Sequence, residues 1–366
     1  MRKLLLLLST VLLLSSCTFS KISELPSSEL NPVFFYESSS AQKAVYETGS
    51  PYTKLFDADM RFMTGSVSPL STGVLAFQSI KSMSGWYGVL YYITRKGTVI
   101  SRTYLNDTAM EIKNDFALSQ SDIFSRGGFA YTLYKVKNDS LGSFALNPLE
   151  KIWTGNLDCF RSAVLFTGDV HGTVYLAGGT EDNSVNNLYR YTKEDGDFVK
   201  IFTVPHASKL INPSEGEKAS DFMNMIPLSD ESIIIFPSQN FRYAADFDVF
   251  LLRKGEVNPV ELSVTGLGEK VLCLTGRGFE VNGKIGITAA LSADMKGRIA
   301  MAVFVLNGNE LVCEKLIEDT YAAALVYGKD PATGSLWYYG DSGTCSKDVN
   351  ALCSFDGSAV IEQALP

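Results

Sequence analysis

One recurring pattern limits what this chain can fold into. A run of aromatic and β-branched residues meets a tight polar turn, a second such run follows, and the unit returns about every fifty residues. The instances are VLYYITRKGTVISRTYL, AYTLYKVKNDSLGSFAL, NLYRYTKEDGDFVKIF, DVFLLRKGEVNPVEL, MAVFVLNGNELVCEKL and ALCSFDGSAVIEQAL. Their turns centre on Gly97, Gly142, Gly196, Gly255, Gly308 and Gly357, at spacings of 45, 54, 59, 53 and 49 residues. Lys-Gly, Asp-Gly and Asn-Gly between short alternating runs signal hairpins, because glycine takes the positive φ such turns need at no steric cost.

Between these hairpins lies a weaker second set, best seen in SAVLFTGDVHGTVYLAGG, FMNMIPLSDESIIIFPS and AAALVYGKDPATGSLWYYGD. One period therefore holds four short strands, A to D, and no helical periodicity competes over any long window. Four strands per repeat of this length predict an all-β fold, a single antiparallel β-propeller over residues 32–366. Six hairpins between residues 60 and 365 give about six blades. Residues 32–59 hold two further apolar runs, which supply either an extra closing strand or part of a seventh blade. MEIKNDFALSQSDIF, in the second blade, barely alternates.

Two stretches resemble named propeller families. VYLAGGTEDNSVNNLYRYTKEDGDFVKIF resembles one kelch repeat, with Gly178-Gly179 ending a strand before Tyr189 and Phe198, and DPATGSLWYYGD is similar to a hairpin of NHL-type propellers. Each covers under a tenth of the chain, and the resemblance implies architecture alone.

At the start of the chain, Arg2 and Lys3 precede an apolar core, Leu4 to Leu14. That core is too short for a bilayer, which needs roughly twenty apolar residues, and it suits a secretory signal. It ends in Leu14-Ser15-Ser16-Cys17, which resembles the bacterial lipobox. The resemblance implies cleavage after residue 16, lipid on Cys17, and an exported protein anchored to the cell membrane or the outer membrane. Thr18, where an Asp would retain a lipoprotein in the inner membrane, favours the outer one. Residues 17–31 are Ser-rich and polar and read as a flexible tether.

Removing residues 1–16 leaves 30 Lys and Arg against 40 Asp and Glu, a net charge of −10. An acidic chain without a basic block repels nucleic acid, so contact with the membrane is expected through the lipid alone. Beyond Cys17, five cysteines remain: Cys159, Cys273, Cys313, Cys345 and Cys353. Export permits disulfides, and Cys345 with Cys353 is the favoured pair, across SKDVNAL. An odd count leaves at least one free thiol, and the lack of CxxC argues against a zinc site.

No catalytic signature stands out. His171 and His206 read as solvated loop residues, and no G-x-S-x-G, P-loop, HExxH or dinucleotide fingerprint is present. GRGFEVNG, residues 276–283, reads as a hairpin turn. Ser292, Asp294 and Gly297 miss the spacing of a sialidase box. Glu181, Asp182 and Asn183 offer oxygen ligands without EF-hand spacing. No cofactor or metal is expected.

In propellers the B–C and D–A loops share one face. Here the B–C loops place Trp86, Phe124, Arg126, Phe241, Arg242, Tyr243 and Arg298 on otherwise polar segments, and Trp, Tyr and Arg dominate binding hot spots. The expectation is a non-enzymatic binding module for a protein or glycan partner. The alternative is a propeller hydrolase or lactonase whose metal is held at the channel mouth by Asp246, Asp248, Asp294 and Asp341.

Overall fold

The computed structural model describes residues 29–365, apart from 64–65, 84, 114, 126–127, 137–148, 168–172, 181–184, 206–208, 211–221, 239–242, 245–248, 292–297, 343–344 and 346. In chain order, β1 (Val33–Glu37), β2 (Lys43–Glu47) and β3 (Thr53–Asp57) form a three-stranded antiparallel sheet. The second sheet holds β4 (Val67–Leu70), β5 (Gly73–Ser82), β6 (Gly85–Thr94) and β7 (Val99–Leu105). The third holds β8 (Asp107–Lys113), β9 (Phe116–Ser125), β10 (Gly128–Val136) and β11 (Leu149–Leu157). The fourth holds β12 (Phe160–Thr167), β13 (Val174–Gly179), β14 (Val185–Tyr191) and β15 (Phe198–Pro205).

Next come β16 (Lys209–Leu210), β17 (Phe222–Pro227), β18 (Ile233–Ser238), β19 (Tyr243–Ala244), which pairs back with β16, β20 (Val249–Leu252) and β21 (Val260–Thr265). Strands β17, β18, β20 and β21 form one antiparallel meander, and β22 (Cys273–Val281), β23 (Lys284–Ala290), β24 (Ile299–Asn307) and β25 (Glu310–Glu318) form another. β26 (Ala322–Lys329), β27 (Leu336–Asp341), β28 (Ala351–Phe355) and β29 (Val360–Ala364) complete the series.

The apolar pattern decides each strand's place. Ile233, Ile234, Ile235 and Phe236 in β18 are all buried, as are Val74 to Phe77 in β5, because these strands have a neighbouring sheet on each face. Outer strands alternate instead: in β7, Ile100, Arg102 and Tyr104 are exposed between half-buried neighbours. Apolar clusters fill the space between successive sheets. Leu75, Phe77 and Leu90 meet Met110 and Ile112, and Leu118 and Leu133 meet Leu176 and Tyr189.

The first sheet closes the ring. Val33, Phe35, Val45 and Phe56 pack against Val67, Val74, Val89 and Tyr91 of the second sheet. The alternate residue Phe34 packs against Trp337 and Leu352 of the last sheet. Its ring stacks on Tyr46 and on Tyr327, each at 5.3 Å. Gln363, at the end of the chain, donates to the Gly49 carbonyl and accepts from the Tyr52 N–H.

The result is an all-β propeller arrangement with five separate small antiparallel blades, where about six, or seven, were expected. The difference lies between β21 and β25. These run parallel, with Ser263, Val264 and Thr265 beside Glu310, Leu311 and Val312, and so merge two meanders into one eight-stranded sheet. Gly266 permits the approach: its φ is +78°, and a Cβ there would lie 2.5 Å from the Cys313 carbonyl oxygen. Residues 32–59 form a whole three-stranded sheet. MEIKNDFALSQSDIF, despite its poor alternation, forms β8 and β9. Among the described residues no helix is long and apolar enough to cross a membrane.

Phe34 holds the two ends of the chain together, so Phe34→Ala should cost about 3–5 kcal/mol of unfolding free energy. Urea unfolding followed by tryptophan fluorescence reports it, and a midpoint matching the parent protein would show that closure rests elsewhere.

Candidate functional site

The first strands of several sheets, with the residues leading into β1, surround a cavity of about 370 Å³. Its wall takes Ser68 from β4, Lys113 from β8, Asn224 and Met225 from β17, Arg277 to Glu280 from β22, and Val326 to Lys329 from β26. Leu30 and Pro32 line it from just before β1. Most of these residues stand at the ends of their strands nearest the turn into the second strand of the sheet. The cavity therefore opens at that end of the ring.

Its polar groups come from distant parts of the sequence. Lys113 Nζ lies 3.5 Å from a Glu111 carboxylate oxygen. Burial, with Arg277 adding to it, pulls the Lys113 pKa below the usual lysine value, and Glu111 works against the shift. Arg277 donates from Nε to the Ala324 carbonyl at 3.1 Å. Glu280 is only 6% exposed; one of its oxygens accepts from the Gly283 N–H at 2.8 Å, and the other lies 3.8 Å from Lys329 Nζ. Apolar walls from Ile112, Met225, Phe279, Val326 and Leu336 complete the space.

Nothing in the local sequence marks this cavity by itself. GRGFEVNG reads as a turn, yet Arg277 to Val281 lie in β22, and only Asn282 and Gly283, both at positive φ, turn the chain. A basic residue amid Leu-Thr-Gly and Gly-Phe was the available signal, but its partner Lys113 stands 164 residues earlier.

The expected binding face is described only in part. Trp86 sits at the tip of the β5–β6 hairpin, 48% exposed, beside the fully exposed Met83. Lys81 Nζ stands 5.8 Å from the Trp86 ring centre, a cation–π contact. On the same hairpin Tyr87 lies 6.2 Å from Tyr104 of β7, which is 68% exposed. Because β5 runs away from the turn that follows β4, this tip lies at the end of the ring opposite the cavity. Arg298 is occupied by Glu318 and Asp319. It stands just before β24, in the connection that follows β23, whereas Trp86 belongs to the β5–β6 hairpin of another sheet. The backbones of Phe124 and Tyr243 fall in β9 and β19. Their side chains, like Arg126, Phe241 and Arg242, lie outside the described residues, as does Cys17 with its signal and tether.

His171, His206, Glu181, Asp182, Asn183, Asp246, Asp248 and Asp294 also lie outside them. Among the described residues no group of three His, Cys, Asp or Glu stands close enough to hold one metal ion. Asp341 is at the end of β27, far along the chain from any such partner.

All five described cysteines are free and buried in this structure, including Cys345 and Cys353, the expected pair. Hydrogen bonds tie the loop between them instead. The Ser342 N–H and hydroxyl both donate to the Asn350 side-chain oxygen, at 2.9 and 2.8 Å, and the Tyr321 hydroxyl donates to the Val349 carbonyl. Cys353 packs in the core of the last sheets. Burial pushes the Cys273 thiol up to about 12 and raises those of Cys345 and Cys353 as well.

No known protein-family profile matches the chain, and no curated protein sequence matches it. The ring is similar in arrangement to solved structures. The propeller domain of the Trilobed protease from Pyrococcus furiosus is 10% identical, with a TM-score of 0.48 over 84% of this chain and 85% of that one. A putative 6-phosphogluconolactonase from Bacteroides fragilis is 11% identical, with a TM-score of 0.48 over 94% of each chain. A prolyl endopeptidase is 9% identical, with a TM-score of 0.46 over 92% of this chain and 50% of its own. Likeness at this level concerns the fold alone.

The buried, protonated thiols should resist alkylation at pH 8 in the native protein. In denaturant without reductant, mass spectrometry should find all of Cys159, Cys273, Cys313, Cys345 and Cys353 alkylated. A mature protein with Cys345 and Cys353 unlabelled would reinstate the disulfide.

Proposed function

We propose that this chain is an exported lipoprotein, anchored through Cys17, whose propeller binds a protein or glycan partner in the cell envelope without transforming it. Counting each half of the eight-stranded sheet as a blade gives a ring of seven, with residues 33–57 as the three-stranded member. The observation that carries the reading is the tip of the β5–β6 hairpin. Trp86 and Met83 project into solvent there with Lys81 beside them. Large apolar side chains left uncovered on a rigid hairpin mark interaction surfaces, and tryptophan buries more area on binding than any other residue. Met83 favours a protein partner, since its flexible thioether moulds to irregular surfaces. Phe124, Arg126, Phe241, Arg242 and Tyr243 would extend the same face.

Two variants test this. Cys17→Ala should abolish lipid labelling and release the protein from carbonate-washed membranes; continued membrane partition would end the lipoprotein reading. A photo-crosslinking side chain at position 83, used in the native envelope, should trap one discrete partner. Trp86→Ala should remove that product while the far-UV circular dichroism stays unchanged. An identical product with Trp86→Ala would take this tip out of consideration.

A further inference from the structure

The central cavity carries a second site, at the opposite end of the ring from Trp86 and independent of the anchor. We propose that it binds a small organic anion with an apolar body, the acidic headgroup held between Lys113 and Arg277. The charges on its wall point this way. Three cations, Lys113, Arg277 and Lys329, line it in a chain whose formal net charge is −8. Lys329 is answered by Glu280, and Lys113 by Glu111. Arg277 has no carboxylate partner among the described residues. Its Nε is used by the Ala324 carbonyl, and its two terminal NH₂ groups have no hydrogen-bond partner among them.

Two cations brought together from separate sheets repel each other, and an anion seated between them removes that cost. A guanidinium offers parallel donors that fit a carboxylate or phosphate, and a lysine adds a point charge. The rest of the wall is unsuited to a bare ion. Ile112, Met225, Phe279, Val326 and Leu336 present carbon, and Glu280 sits beside them with its charge already engaged. The space of about 370 Å³ admits a body of about a dozen non-hydrogen atoms, at roughly 30 Å³ each as for water in the liquid. It falls in the range of small-ligand sites. A six-carbon chain with one acidic group has the required shape and charge.

Isothermal titration calorimetry on the full chain, in an uncharged detergent with a bulky head, tests this with four probes: hexanoate, hexyl phosphate, hexanol and inorganic phosphate. Hexanoate and hexyl phosphate should both bind, with Kd below about 1 mM. Hexanol, lacking the charge, and inorganic phosphate, lacking the body, should bind at least about tenfold more weakly. Arg277→Gln should weaken hexanoate by a similar factor and leave hexanol unchanged, with Arg277→Lys recovering part of the loss. The comparison of hexanoate with hexanol on the unaltered protein decides the matter even if a variant unfolds. Equal binding of the two overturns the proposal, as does silence from both amphiphilic anions. Inorganic phosphate binding as tightly as hexanoate would overturn the apolar half of it.

Discussion

A β-sheet that is apolar on both faces has no stable existence alone; it must be covered twice. Nearly every inner strand here is of that kind, from Val74–Phe77 to Ile233–Phe236. Stacking sheets in a row would always leave two end faces bare, so only a ring satisfies them all. Closure is therefore a condition of folding. The first sheet meets it with side chains: odd positions of β1 fill one interface and even positions the other. Among the described residues no strand of the last sheet crosses over to pair with it, and aromatic packing around Phe34 does the joining. Cutting back that contact leaves two large apolar surfaces facing water at once.

The same constraint explains which parts of the fold were readable beforehand. Gly97, Gly196, Gly255, Gly308 and Gly357 all have positive φ, as hairpin turns require, so the period and strand content could be read from local chemistry. The first sheet was harder to see. KAVYE and TKLFD are half polar, and they become strands because two neighbours need covering, a fact no five-residue window contains. The merging of two meanders was likewise out of reach. It depends on a parallel contact between Thr265 and Val312 and on the absence of one β-carbon at Gly266.

The candidate sites divide in the same way. Trp86 was visible, since a tryptophan in a Ser- and Gly-rich turn has no core to join. Lys113 and Arg277 were invisible as a pair: each looks like an ordinary charge on its own strand, and only the convergence of inner strands places both on one wall. The cysteines show a related limit of local spacing. Spacing suggests a cross-link between Cys345 and Cys353, whereas the interior uses both as small apolar fillers and leaves the loop to Asn350 and Tyr321.

Leu30 and Pro32 belong to the cavity wall, and that has a consequence for how the molecule would stand on a membrane. With Cys17 acylated, twelve residues would lie between the lipidated cysteine and Leu30, thirteen steps that reach at most about 45 Å when fully drawn out. Were Cys17 lipidated, a pull on the chain ahead of Leu30 would turn the cavity end of the ring towards the bilayer and the Trp86 tip away from it. Amphiphiles leaving the lipid would meet the basic mouth first, while partners in the surrounding space would meet the aromatic hairpin. A single point of attachment would thus give a rotationally free disc two distinct addresses, one for each side of the water layer it occupies.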